Sequence, residues 1–406
     1  MGQTPDLRID IDLTDYPFIS KKKNVIRFPG KDSTAFYRFF EKVDDFVATG
    51  SGQINVLHIG GSHVQADMFS HQVRMHLDLI NHPYQSGRGF IFPFTVAKTN
   101  NPANYKVAYS GKWSSASNVQ RNREMSLGMG GIAVYTNDPE AAIYVNLNPG
   151  DSITKRWTFN RLRLLGYPED DEAPIRPVLY YNGASYDSFY DLVTETYIFD
   201  LPFEADCFEI GFVSEDSDRH IFIVNGFIPE KDTPGITYHA IGVNGASTVS
   251  YLNSEFFEKE LAIIAPDLVI FGIGINDAAG KDFDTSVFRA NYNELIRRIK
   301  TASPQCAFLF ITNNDSYKKV SRKKYQVNRN GLLAQEAFYE LAVENQGGVW
   351  DLFEIMGGLS SMQQWEKAGL AQRDKIHFNR AGYELLGDLL FNAIVELNTK
   401  IDSGYQ

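Results

Sequence analysis

Cysteine is nearly missing from this sequence, with two residues in 406, and no stretch approaches eighteen uninterrupted apolar residues. Cys207 and Cys306 are far apart and fall in different halves of the pattern described below, so no disulfide framework is expected and the redox compartment stays open. A membrane-spanning helix needs roughly 20 consecutive apolar residues, so no membrane span is expected. Positive charge is also in deficit: 39 Lys and Arg against 50 Asp and Glu give a formal net charge of -11. A polyanion demands a broad basic surface, which excludes nucleic acid as the main partner. The short basic runs, Lys21 to Lys23 and Lys318, Lys319, Arg322, Lys323 and Lys324, read as solvated surface. The start, Met1-Gly2-Gln3-Thr4-Pro5, has no basic stretch followed by an apolar core, so no signal peptide is visible.

Hydrophobic residues at 43% and charged ones at 22% suit a globular protein, and 406 residues suit two domains or one with a large insertion. Ile54 to Ile59 reads as a buried strand, followed by the turn Gly60-Gly61-Ser62 and by Val73, Leu77 and Ile80 at helical spacing. The alternation returns after residue 240. Leu268 to Ile273 and Ala307 to Ile311 are apolar runs separated by a helical stretch from about Phe288 to Lys300, a pattern that suits a parallel sheet covered on both faces. Gly348 to Leu352 is a further strand, and Arg380 to Leu397 a closing helix with Asn379 as its N-cap. Between about 99 and 236 the pattern is short alternating segments, among them Ile143, Val145, Leu147 and Phe208, Ile210, Phe212, as expected of an antiparallel β-sandwich.

Four segments sit where strands end, the place where open α/β sheets carry their sites. Gly60-Gly61-Ser62-His63 can expose a serine hydroxyl at a strand-to-helix turn, where a base could activate it. Gly242-Val243-Asn244-Gly245-Ala246-Ser247 and Gly272-Ile273-Gly274-Ile275-Asn276-Asp277 offer a glycine N–H and an asparagine amide, both suited to a developing oxyanion. The second of these lacks the last glycine of a Gly-x-Gly-x-x-Gly fingerprint, which argues against a nucleotide phosphate. Asp374-Lys375-Ile376-His377 places a carboxylate three residues from an imidazole that it could orient. Each segment alone is also an ordinary turn.

In their order the four resemble the blocks of the SGNH (GDSL-type) hydrolase family, which supply a serine, a glycine, an asparagine and a C-terminal Asp-x-x-His. Ile59 to Asp67, with Gly87-Arg88-Gly89-Phe90 and Gly242 to Ala246, is most similar to the bacterial peptidoglycan O-acetylesterases of that family. The resemblance implies Ser62 as nucleophile, His377 as base, Asp374 as its orienting acid, and an oxyanion hole from the Ser62 N–H, the Gly245 N–H and the Asn276 side chain. It implies a three-layer, flavodoxin-like α/β fold with an inserted carbohydrate-binding-like sandwich. The expected division is an extension at 1–34, hydrolase segments at 35–98 and 237–402, and the insert at 99–236. It further implies an O-acetylated glycan as substrate, no cofactor, and a periplasmic or secreted location; oligomeric state stays open. The family's usual Asp before the serine is here Gly61. Two other readings stand beside the esterase: a glycan-binding protein on an inactive scaffold, and a lipase or thioesterase of the same family. His58, His63, His71, His76 and His82 crowd one region but lack the spacing of a metal site, and Trp113 and Trp157 could stack on sugar or fill the core.

Overall fold

The computed structural model describes residues 7–402 except 151–155, 171, 215–219 and 322–323. Strands β1 (Ile26–Arg27), β2 (Gln53–Gly60), β3 (Gly235–Gly242), β4 (Leu268–Gly272), β5 (Ala307–Ile311) and β6 (Gly348–Trp350) form one sheet in the order β1-β6-β5-β4-β2-β3. β2 to β6 are parallel and β1 adds an antiparallel edge. Strand side chains alternate between faces, and both faces here are buried. Leu57, Ile59, Val269, Phe271, Phe308 and Phe310 enter one core, and Ile54, Val56, Leu268, Ile270 and Leu309 the other. That is why these strands read as continuous apolar runs.

The helices Thr34–Thr49, Phe69–Asn81 and Arg380–Asp402 cover the second face, and Phe257–Ile264, Thr285–Ala302 and Asn330–Asn345 the first. The chain leaves β2 for β3 on one side and returns to β4 on the other, so strand order reverses beside β2, the crevice where such sheets bind ligands. The first residues do more than lie over the surface: Ile26 and Arg27 pair with Trp350 and Val349, and the Asn24 side chain accepts from the Trp350 indole at 2.8 Å.

Between β2 and β3 the chain builds two antiparallel sheets of six and five strands, all within Lys106 to Glu230. Their facing sides meet through Phe208, which lies edge-on to Phe159 and Phe227, and through Phe212 against Phe222 and Trp113. Trp113 and Trp157 are both buried, so neither offers a face to a sugar. Glu260, on the helix Phe257–Ile264, accepts from the Asn225 amide and the Met129 N–H, each at 2.8 Å, and so ties these sheets to the α/β layers. Cys207 and Cys306 are free thiols. No helix among the described residues is long and apolar enough to cross a membrane.

Candidate active site

The sequence Gly60-Gly61-Ser62 ends β2 and starts the short helix Ser62–Gln65. This helix lies so close to the sheet that a Cβ at Gly242 would fall 2.4 Å from the Gln65 nitrogen, and one at Gly60 would fall within the Val64 side chain. Glycine at these strand ends is therefore what lets the serine turn seat on the sheet. Ser62 begins the helix, and the N–H of a first helical residue has no intrahelical acceptor.

The Asp374 to His377 segment reaches Ser62 from the other end of the chain. Lys375, at φ 59°, folds the segment into a tight turn. Asp374 Oδ1 accepts the N–H groups of Ile376 and His377 at 2.9 and 3.0 Å, the local pattern that Asp favours in turns. Its other oxygen accepts from His377 Nδ1 at 2.7 Å, and His377 Nε2 lies 2.8 Å from Ser62 Oγ. With the Nδ1 proton committed to the carboxylate, Nε2 presents its lone pair to the serine hydroxyl. Burial pulls the Asp374 carboxyl upward, but the hydrogen bonds from the His377 ring and from the His377 and Ile376 backbone outweigh it and hold the group at about 2.

Asn276 follows β4, and its amide donates to the Ala246 carbonyl at 2.9 Å. This contact brings the Gly242 to Ser247 loop and the Asn276 turn together over Gly61. A Cβ on Gly61 would sit 3.4 Å from both the Asn276 amide nitrogen and the Ala246 oxygen. That is ordinary contact distance, so the space beside this contact does not by itself require the glycine that departs from the family pattern. Gly245, at φ 81°, faces open space. Asp277 accepts from the Thr248 N–H and hydroxyl, and burial pushes it up to about 6.

The sequence named His63 only beside Ser62 and among the crowded histidines, and Gln65, Asp67 and Arg88 only as parts of matching segments; the structure gives each of them partners. The buried Gln65 side chain accepts the Asn244 N–H at 2.7 Å and donates to Asn100, joining the Ser62 helix to the loop that carries Gly245. Asp67 is buried between Arg74 and Arg88, with Arg88 at 2.7 Å, and despite burial the two guanidinium groups hold its carboxyl far below the usual range. The segments Ser62 to Asp67 and Gly87 to Phe90 are thus joined by an ion pair that only the fold reveals. His63, whose Nδ1 bonds the Tyr383 hydroxyl at 2.7 Å, packs its ring 5.2 Å from that of His377. Burial, reinforced by His377, pushes His63 down to about 3, so it stands there as a neutral ring.

Three of the other four crowded histidines also have side-chain partners: His58 with Tyr238, His71 with Arg74, and His76 with Asp388. No group of three metal-ligating side chains occurs among the described residues.

The model of the GDSL-like Lipase/Acylhydrolase family matches residues 228–385. A structure described as a peptidoglycan O-acetylesterase superposes with a TM-score of 0.74 at 23% identity, covering 92% of this chain and 99% of that one. The fold is that of an SGNH hydrolase. In this chain the parallel sheet is mixed at its edge by β1 and accompanied by the two antiparallel sheets. The family match contains Gly245, Asn276, Asp374 and His377 but not Ser62, because the antiparallel strands separate the serine from the other blocks. Partial similarity extends to a lipase/acylhydrolase from Enterococcus faecalis, 24% identical over 40% of this chain and 77% of that one, and to an acetyl xylan esterase, 19% identical over 40% and 82%. Both have TM-scores of 0.32. None of the curated proteins matches.

Proposed function

We propose that the protein is a serine esterase that removes O-acetyl groups from a bacterial cell-wall or other polysaccharide through an acyl-enzyme on Ser62. The observation that carries this reading is the continuous chain from Ser62 Oγ through His377 to Asp374, with contacts of 2.8 and 2.7 Å. His377 takes the serine proton as Oγ attacks the acetyl carbonyl, and Asp374 steadies the imidazolium. The Ser62 N–H, the Gly245 N–H and the Asn276 amide hold the oxyanion. His377 then returns the proton to the departing sugar oxygen. Water, deprotonated by the same imidazole, attacks the acyl-enzyme and releases acetate.

The peptidoglycan O-acetylesterase whose fold this chain shares, and the acylhydrolase family match, favour an ester substrate. A carbohydrate acetate in particular is favoured by the cleft beside Gly245, about 960 Å³ and lined mostly by polar side chains, where a long acyl chain would want an apolar trough. In this reading the two antiparallel sheets, about 99–236, are a carbohydrate-binding-like sandwich inserted between hydrolase segments 35–98 and 237–402. The protein works on cell-wall or extracellular glycans in the periplasm or after secretion. The test is acetate release from a panel of acetylated glycans, with acetyl and octanoyl arylesters as controls. Acetate release that disappears in Ser62→Ala supports the proposal; preference for octanoyl, or equal rates for both proteins, rejects it.

A further inference from the structure

The cleft that reaches Gly245 has an unusual charge arrangement for so acidic a protein. Its ionisable lining consists of Arg121, Arg123, Arg298, Glu255 and Glu258. Glu255 is engaged by Arg123 at 2.6 Å and by the Leu127 N–H at 3.0 Å, and Arg123 also donates to the Asn253 carbonyl. Arg298 pairs with Glu258 at 3.5 Å and with Glu294 at 3.1 Å. Both carboxylates of the cleft are thus matched within the protein, and two of its three cations are held in place.

Arg121 is the exception. Its side chain is exposed and has neither ion pair nor hydrogen bond among the described residues. It sits on the segment after the strand Ser114–Ser117 of the antiparallel sheets, while Gly245 belongs to the loop after β3, so the cleft joins the two parts of the chain. A guanidinium with five donors, lining a mostly polar cleft that extends to Gly245 of the proposed oxyanion hole, matches a carboxylate bidentately and has no counterpart in a neutral sugar.

Building on the esterase reading, we infer that this cleft is a subsite for an acidic saccharide, in which Arg121 binds a carboxylate carried by the glycan near its acetylated unit. The enzyme then selects acetylated glycans that bear carboxylates over neutral ones, and the selection lies in binding rather than in the chemical step.

Two measurements test this in the full chain. In the first, wild type and Arg121→Ala are assayed on a small acetyl arylester, an acetylated neutral xylan and an acetylated polyuronate. The expected result is a roughly tenfold rise in KM for the polyuronate alone in Arg121→Ala, with kcat and both other substrates unchanged, and an intermediate KM for Arg121→Lys. An equal change on both glycans, or none on either, overturns the subsite. In the second, binding of an unacetylated oligogalacturonate and a xylo-oligosaccharide of the same length is measured by calorimetry. The acidic oligomer binds more tightly to wild type, loses that advantage in Arg121→Ala, and binds less well as salt rises. Equal binding of the two oligomers to wild type also overturns it. Failure on the arylester, by contrast, sinks the esterase reading, while the calorimetric arm still decides whether the cleft takes acidic sugar.

Discussion

A serine hydroxyl becomes a useful nucleophile through its neighbours, and at this site each neighbour has a distinguishable task. Ser62→Ala removes the proposed attacking oxygen and should bring arylester turnover to background. Asp374→Asn keeps the shape of the turn but loses the charge that orients His377, and kcat should fall on the order of ten-thousandfold. Because the Asp374 carboxyl is held at about 2, it stays ionised down to pH 4. The acid limb of a pH–rate profile for wild type should therefore not continue as a second protonation between pH 3 and 5; a further inflection there would remove Asp374 from its assigned task. Asn276→Ala should cost about 3 kcal/mol of barrier, at least a hundredfold in kcat, and a loss below tenfold would point its amide elsewhere. These residues were legible because each lies in a short segment with its own chemical logic and the four come in a fixed order. Asp67 and Arg88 were not legible as a pair, since nothing in either segment says that a carboxylate at one will be buried against the guanidinium of the other. Asp67→Asn leaves Arg74 and Arg88 sharing a neutral partner in the interior. Breaking a buried pair costs about 3–5 kcal/mol, which a fall in melting temperature would register.

At the scale of elements, the strands of the central sheet were readable wherever both faces are buried, and the boundaries of β5 are those of the apolar run Ala307 to Ile311. The Asn379 cap is also present: its side-chain oxygen accepts the Gly382 N–H at 3.0 Å. By contrast β1 has two residues, too few for any period, and owes its pairing to β6. The helix Asn330–Asn345 escapes notice because its buried side is largely glycine and alanine, Gly331, Ala334, Ala337 and Ala342 beside Phe338 and Leu341, which makes a weak apolar stripe. The bond from Gln65 to the Asn244 N–H is the element-level contact with the clearest kinetic consequence. It fixes the spacing between the Ser62 helix and the loop that carries Gly245, so Gln65→Met, similar in volume but unable to accept that N–H, should lower kcat about tenfold while KM changes little. A change confined to KM would show that the loop keeps its place without Gln65.

For the whole molecule, the join between α/β layers and antiparallel sheets rests partly on Glu260, whose burial pushes its carboxyl from 4.5 up to about 7. The folded state holds this proton more tightly than the unfolded one. The contribution to stability is complete below pH 4.5, shrinks as pH rises through about 7, and by pH 8 is lower by on the order of 3 kcal/mol. Glu260→Gln should abolish this slope. The Asn225 carbonyl oxygen has no partner, so a flipped Asn225 amide can accept from the new glutamine while the glutamine oxygen keeps the Met129 N–H. Melting temperatures from pH 5 to 8 measure the difference, and parallel curves for the two proteins would contradict the assignment.

The Ser62 to His377 contact closes a loop of 315 positions. A ribosome must therefore have passed residue 377 before the hydroxyl can meet its proposed base, and in the esterase reading a nascent chain shorter than that would have no capacity to cleave esters.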